Sequence, residues 1–424
     1  MFIRLLACLL AGIAAQAALA EPPLARSDQL AVGGLSQDQA AALALATQPQ
    51  FAAREDAMRA LRENAVAAGE LPDPKLSFGL QALPLDSFDF NQEAMTQAIV
   101  GVSQSIPGGA KRALNRERVG REAEQVAADL DATRRRVERE VRLAWLDLWL
   151  PTQSLGWLRR LGDAYQQQIE WGEVAWKAGK LARDDLLQWR ALREGTHDRE
   201  SELRVMRERA RAQLRRWLGE AGEAEPTPNL PSPPGGGAGG EGTHAEDEAR
   251  LDRHPELLRL QRALHVARAD VDLAREAGKP DWNVNLTYGA RGGGRPDLLS
   301  LVVGVDLPIF QANRQDRRLA ARLAQVSQAE AQLEEQRRRL LAALRAASAE
   351  REVAEERIQR FERDLLPLQA SREAAALADY RSGKGAWSRV LDARRARIET
   401  RLQWLGQRAA LARADVQLRY LLGD

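Results

Sequence analysis

The chain has 424 residues, enough for two or three domains, and carries 62 Lys and Arg against 60 Asp and Glu. So near a balance leaves no net field to gather nucleic acid, and a single cysteine, Cys8, excludes a disulfide framework or a cysteine metal site. Past the N-terminus no run of about 18 apolar residues could cross a bilayer as a helix, so any membrane insertion has to use strands.

Arg4, the apolar run 5–18, and Ala18-Leu19-Ala20 before Glu21 have the layout of a secretory signal peptide over 1–20. Cys8 lies inside it. Leu5-Leu6-Ala7-Cys8 faintly resembles a lipoprotein cleavage box, but cutting there would leave almost no apolar segment, so the expectation is an unlipidated chain starting near Glu21.

Residues 21–219 read as a first repeat: an opening helix over 36–70, strands at about 75–83 and 96–106, a very long helix over 109–178 and a returning helix over 184–219. A linker over 220–249 follows, whose stretch PTPNLPSPPGGGAGGEG at 226–242 cannot build a core. Residues 250–424 read as a second repeat: a helix over 254–277, strands at about 281–291 and 298–309, a long helix over 312–382 and a last helix over 387–422. Matching words support the repeat. Gln48-Pro49 answers His254-Pro255, Pro72-Asp73 answers Pro280-Asp281, and Val100-Gly101-Val102 with Pro107 answers Val303-Gly304-Val305 with Pro308, always about 205 residues apart. A helix of about 70 residues is about 100 Å long, which no compact globule of this size needs.

The strands are amphipathic. Trp282, Val284, Leu286, Tyr288 and Ala290 alternate with Asp281, Asn283, Asn285, Thr287 and Arg291, and Leu76, Phe78 and Leu80 alternate with Lys75, Ser77 and Gln81. A soluble sheet with one buried face would look the same. Strands of about ten residues also suit a tilted membrane span, but four cannot close a barrel, so membrane insertion would require oligomers, and three copies would supply twelve strands. In the long second helix, Leu319, Leu323, Val326, Leu333, Leu340 and Leu344 form one seam and alanines recur on other faces, as a wall helix with two neighbours would need; an antiparallel coiled coil could also produce this. Pro151 and Pro367 fall within the long helices at non-equivalent places, where each either kinks or ends a helix. Gly179-Lys180-Leu181 and Gly383-Lys384-Gly385 break both helices about 100 Å from the strands, marking a tip.

The whole mature chain thus resembles the TolC-type outer-membrane efflux proteins. The resemblance rests on the two repeats, on Val-Gly-Val before a proline, and on the tip words Trp176, Gly179, Leu187 and Tyr380, Gly383, Leu391, with Asp392-Ala393-Arg394 following. It implies a mainly α homotrimer with a small β part: a 12-stranded outer-membrane β-barrel continuous with a periplasmic 12-helix coiled-coil barrel, its tips docking a periplasmic adaptor and an inner-membrane RND pump. Leu71-Pro72-Asp73-Pro74-Lys75-Leu76, Met95-Thr96 and Gly108-Gly109-Ala110-Lys111-Arg112 are closest in look to the branch similar to CzcC and CusC, which implies heavy-metal cations as cargo. Family members commonly narrow the tunnel with acidic residues three and six places before the tip aromatic. Those places hold Leu377 and Ala374 before Tyr380 but Glu173 and Glu170 before Trp176, one turn apart on one face. Stacked threefold they would favour cations. An exposed pair with Lys177 as the partner of Glu173 is the equally plain alternative.

No cofactor, metal or catalytic residue is expected. Gly292-Gly293-Gly294 lacks the lysine of a phosphate loop, the histidines His197, His244, His254 and His265 have no ligand spacing, and Arg134-Arg135-Arg136 and Arg337-Arg338-Arg339 lie among glutamates as solvated helix faces. The competing readings are a soluble periplasmic coiled-coil scaffold and an efflux adaptor, although an adaptor should have one hairpin rather than two.

Overall fold

The computed structural model describes residues 34–230 and 244–423. The expected signal peptide 1–20 and most of the Pro/Gly-rich stretch lie outside the described residues. Where the sequence read one opening helix over 36–70, two are found: α1, Gln37–Thr47, and α2, Pro49–Gly69. Proline disfavours the helical region for the residue before it, and Gln48 accordingly sits at φ −71°, ψ 118°. Ser36 starts α1 with a reciprocal capping box to Gln39.

Strands β1, Lys75–Gln81, and β2, Gln97–Ile106, follow. β1 is shorter than the alternation suggested because Ala82 turns to φ 54°, its carbonyl accepting the Thr96 hydroxyl at 2.8 Å. Helix α3, Lys111–Lys177, runs unbroken for 67 residues, about 100 Å, straight through Pro151. Buried Trp145, Trp149 and Leu155 to either side hold that turn in place against the proline's cost. The returning helix is α4, Arg183–Leu218.

The expected linker is partly structured, which corrects the sequence reading. Pro226 bridges Leu35, Leu230 is buried, and the Pro228 carbonyl accepts the Trp149 indole N–H at 3.1 Å; beyond it α5, His244–Leu251, is helical where linker was expected to extend. Isolated apolar residues among prolines were enough to dock, because a preformed tryptophan platform supplies the core they lack.

The second repeat comprises α6, Pro255–Glu276, β3, Asp281–Arg291, β4, Leu298–Asp306, α7, Gln315–Arg360, α8, Leu366–Arg381, and α9, Trp387–Leu422. β4 stops before Pro308, and the expected helix over 312–382 starts with a 3-10 turn at Gln311–Asn313 and contains a π turn at Phe361–Leu365. The π turn places Pro367 at the beginning of α8, where no N–H is required.

One antiparallel sheet holds the order β1-β2-β3-β4, so each repeat contributes a hairpin and β2 joins β3 across the repeats. Register keeps the faces apart. Phe78, Val100, Tyr288 and Leu299 form one cross-strand row, while Ser77, Gly101, Thr287 and Ser300 form a row on the opposite face. Below the sheet the helices pack side by side as a wall. Nearer the strands α3 lies between α2 and α6, with α7 beyond α6; farther away α3 lies between α4 and α9, with α7 and α8 beyond α9. Ion pairs stitch the neighbours, Arg54 to Asp129 at 2.7 Å, Arg262 to Glu124 at 2.8 Å and Arg351 to Asp415 at 2.9 Å. The arginine runs serve the same purpose: Arg134 pairs with Glu55, Arg136 with Glu256 and Arg337 with Asp252.

The main core forms a belt at mid-height, where Leu35, Trp145, Leu146, Trp149 and Leu214 are fully or nearly fully buried. The residue before the proline that opens α2 or α6 makes an equivalent link in both repeats. Gln48 Nε2 donates to the Trp217 carbonyl at 2.5 Å, and His254 Nε2 lies 3.0 Å from the Tyr420 carbonyl, in each case joining an opening helix to the last turn of a returning one.

Candidate functional site

The two ends of the wall carry what a duct would use. At the tip, α3 and α8 end in the same motif. Gly179, at φ 71°, donates to the Trp176 carbonyl at 2.9 Å while Lys180 donates to Ala175 at 2.8 Å; Gly383, at φ 73°, donates to Tyr380 at 3.0 Å while Lys384 donates to Asp379 at 2.9 Å. These are paired Schellman turns, which require the left-handed backbone that glycine adopts without a Cβ clash. They hold Trp176 and Leu187 on the surface, and set Tyr380 edge-on to Trp387 at 4.8 Å between ring centroids. Leu391 differs. It is buried, at 5% exposure, whereas its counterpart Leu187 is half exposed.

Glu170 is exposed and accepts from Gln166 Nε2 at 2.9 Å. Glu173 is bridged to Arg190 on α4 at 2.6 Å, so its partner is not Lys177 as the sequence spacing suggested. A residue four places along a helix reaches alongside, but a hairpin presents a second helix closer still. In the second hairpin Arg394 stands at the same offset from its turn glycine and binds Glu373, at 3.0 Å, with Arg397 on the other carboxylate oxygen at 2.9 Å. Burial alone would raise the Glu373 carboxyl, but hydrogen bonds from Arg397 and Arg394 outweigh it and hold the group below the usual carboxylate range. Sequence reasoning missed Glu373 because it looked only three and six places before Tyr380; the arginine of the Asp392-Ala393-Arg394 word was the available signal.

At the other end the sheet's apolar face is uncovered. Phe78 is 81% and Leu299 71% exposed, and Leu76, Leu80, Leu286, Tyr288 and Leu301 are exposed with them. Among the described residues no strand lies beside the outer edges of β1 and β4. No described helix is long and apolar enough to cross a membrane.

Among the described residues no group of three or more His, Asp, Glu or Cys could hold a metal ion. His254 is instead a structural cap: its Nδ1 accepts the Glu256 N–H at 3.2 Å, its ring meets Tyr420 edge-on at 4.8 Å, and its pKa is lowered to about 4, chiefly by burial.

A mainly helical chain with an amphipathic four-stranded sheet at one end and paired hairpins at the other has the fold of TolC-type outer-membrane channels. Solved structures share it. A membrane protein from Pseudomonas aeruginosa matches with a TM-score of 0.77 at 19% identity, covering 91% of this chain and 92% of that one. The outer membrane protein VceC from Vibrio cholerae matches with a TM-score of 0.74 at 15% identity, over 91% of this chain and 96% of that one. The CusC structure gives a TM-score of 0.70 at 17% identity and covers 98% of this chain and 99% of that one. Residues 248–424 match the outer membrane efflux protein family, so the second repeat carries the family's sequence pattern and nearly the whole chain its fold. The resemblance read from the tip words and repeats stands on both. No curated protein matches the sequence.

Proposed function

We propose that this chain is the outer-membrane exit duct of a tripartite efflux system. Three copies close a twelve-stranded barrel and a twelve-helix periplasmic tunnel, and the chain works as a passive channel with no catalytic step. The observation that carries this reading is the exposed apolar face of the four-stranded sheet, flanked by two open strand edges. In water such a face and such edges would drive aggregation; in lipid the face is satisfied, and the edges must pair between chains because hydrocarbon offers backbone groups no partner.

The paired turns offer the docking surface for a periplasmic adaptor, with Trp176, Leu187 and Tyr380 as contacts, Gly179 and Gly383 setting their geometry, and Leu391 bracing the second turn from inside. Energy and selectivity come from an inner-membrane RND pump. Glu170 and Glu173 contribute a cation-favouring constriction, with Arg190 moderating the charge of Glu173. Heavy-metal cations are the cargo class favoured by the wording of 71–76 and 95–112 and by the end-to-end likeness to CusC.

Deleting the gene and scoring tolerance to a panel of metal salts and drugs tests the cargo. Sensitivity to metals alone supports the assignment, and sensitivity to drugs alone overturns it. The soluble scaffold remains the rival. Recovery of the protein from osmotic-shock fluid without detergent would establish that reading in place of a channel.

A further inference from the structure

Where the last turns of α9 pack against the middle of α3, four arginines converge on one small cavity of about 130 Å³. Arg135, Arg139 and Arg142 stand four and three places apart on α3 and so share one face of it; Arg419 comes from α9. Gly423, at φ 85°, ends α9 beside them, and a Cβ there would lie 2.5 Å from Arg135 Nη1.

The arginines differ in how they are partnered. Arg142 is nearly buried and spends its guanidinium on Asp38 at 2.6 Å and Glu138 at 2.9 Å. Glu138, the one carboxylate in the cavity lining, is thereby matched. Arg419 lies 3.8 Å from the same Asp38. Arg139 stacks over the Tyr420 ring at 4.3 Å and gives Nη2 to Glu140 at 2.6 Å, but its buried Nε has no partner. Arg135 is partly buried and makes no hydrogen bond or ion pair among the described residues. The three carboxylates that touch this group therefore leave one cation uncompensated, with unused N–H donors on two neighbouring arginines. The excess is felt nearby, since Arg135 and Arg139 both push the His254 pKa down. Buried donors of this kind call for an acceptor.

We propose that the cavity binds one small tetrahedral oxyanion of the phosphate class, held by Arg135 and Arg139, which fastens the end of α9 to α3. Guanidinium forks match the oxygens of such an ion two at a time, and Arg419 adds charge from the facing helix. The volume is that of about four waters, enough for one such ion and little more. Arg135 lies about 36 Å along α3 from Lys111, so in the duct reading a lipid headgroup at the sheet is out of reach and the ligand is a dissolved ion. The site is built within one chain and stands whether or not three chains close a duct.

Isothermal titration of the full-length protein in detergent with sodium phosphate, at an ionic strength held constant with sodium chloride, tests the proposal. The expected result is saturable binding of one phosphate per chain, with a thermal midpoint that rises as the site fills. Arg135→Gln should weaken binding about tenfold or more and, because it removes an unpaired cation, leave the midpoint in phosphate-free buffer unchanged or higher. Arg139→Gln is a second variant with the same expected loss of binding. Arg363→Gln, at a side chain 82% exposed on the π turn, is expected to bind as the parent does. No saturable binding by the parent, or binding by both cavity variants equal to the parent's, overturns the proposal. An equal loss in Arg363→Gln would reveal only diffuse attraction and overturns it as well. Glycerol 3-phosphate is titrated alongside, and a preference for this headgroup-like ester over the free ion would overturn the dissolved-ion assignment.

Discussion

Glu173 lies 2.6 Å from Arg190 across the first hairpin, and this pairing sets how much charge the acidic pair can present at the tip. Both side chains are about half exposed, so the bond contributes no more than about 1 kcal/mol to stability.

Removing either partner should therefore change selectivity without changing the fold. Arg190→Ala leaves the Glu173 charge uncompensated and is expected to raise the preference for cations, whereas Glu170→Gln with Glu173→Gln is expected to lower it. Reversal potentials of single channels under a salt gradient read both. If neither variant departs from the parent, the pair lies away from the ion path and the constriction is elsewhere.

The two faces of the sheet should respond oppositely to charge. Leu286 and Thr287 are adjacent on β3 and point to opposite faces, Leu286 in the row with Val102 and Leu301 and Thr287 in the row with Gly101 and Ser300. Leu286→Lys should cost about 2–4 kcal/mol if its face meets lipid, and Thr287→Lys close to nothing if its face lines water. The temperature at which assembled protein dissociates in detergent is the readout. Equal shifts for the two would contradict a lipid-facing sheet.

His254 gives the packing of α6 against the end of α9 a pH dependence. Burial lowers its pKa from 6.5 to about 4, the Tyr420 carbonyl opposes this, and Arg135 and Arg139 add to the lowering. Because the folded value lies below the unfolded one, the unfolded chain takes up the proton first as pH falls. The stability that neutral His254 contributes is intact above pH 6.5, declines below it and is lost by about pH 4, a change of order 3 kcal/mol. Asparagine retains a capping side chain and does not titrate, so His254→Asn should flatten the fall in denaturation midpoint between pH 7 and pH 4. Parallel curves for parent and variant would show that the imidazole is not the group responsible.

Trp145 is fully buried and gives its indole N–H to the Leu35 carbonyl at 2.8 Å, so it fastens the strand-like start of the described chain to the middle of α3. Trp145→Phe empties part of that site and leaves the carbonyl with only the Thr227 N–H as donor, at a cost of about 2–3 kcal/mol. The same substitution at Trp171, which is exposed, should cost well under 1 kcal/mol. Chemical denaturation followed by far-ultraviolet circular dichroism compares the two, and equal midpoints would remove the belt from its assigned role.

Much of this architecture was legible from local pattern. The alternation of Trp282 to Arg291 fixes which side chains share a face of a strand, and glycine at 179 and 383 after long helical runs fixes where the helices turn, because both depend on periodicity and backbone freedom within a few residues. Other features depend on neighbours distant in sequence. The docking of Leu230 and Pro228 needs the tryptophans of α3, and Glu173 pairs with Arg190 rather than Lys177 because the hairpin brings α4 closer.

The sequence by itself thus determined most of the elements, their repeat and the polarity of each strand face, since these follow from side-chain spacing along one strand or helix. Only the tertiary structure decided that the four strands join as one sheet in the order β1-β2-β3-β4 and that its apolar face is left uncovered. The physical reason is that strand partners and covering layers are set by hydrogen bonds and packing between segments up to two hundred residues apart, which no local period records.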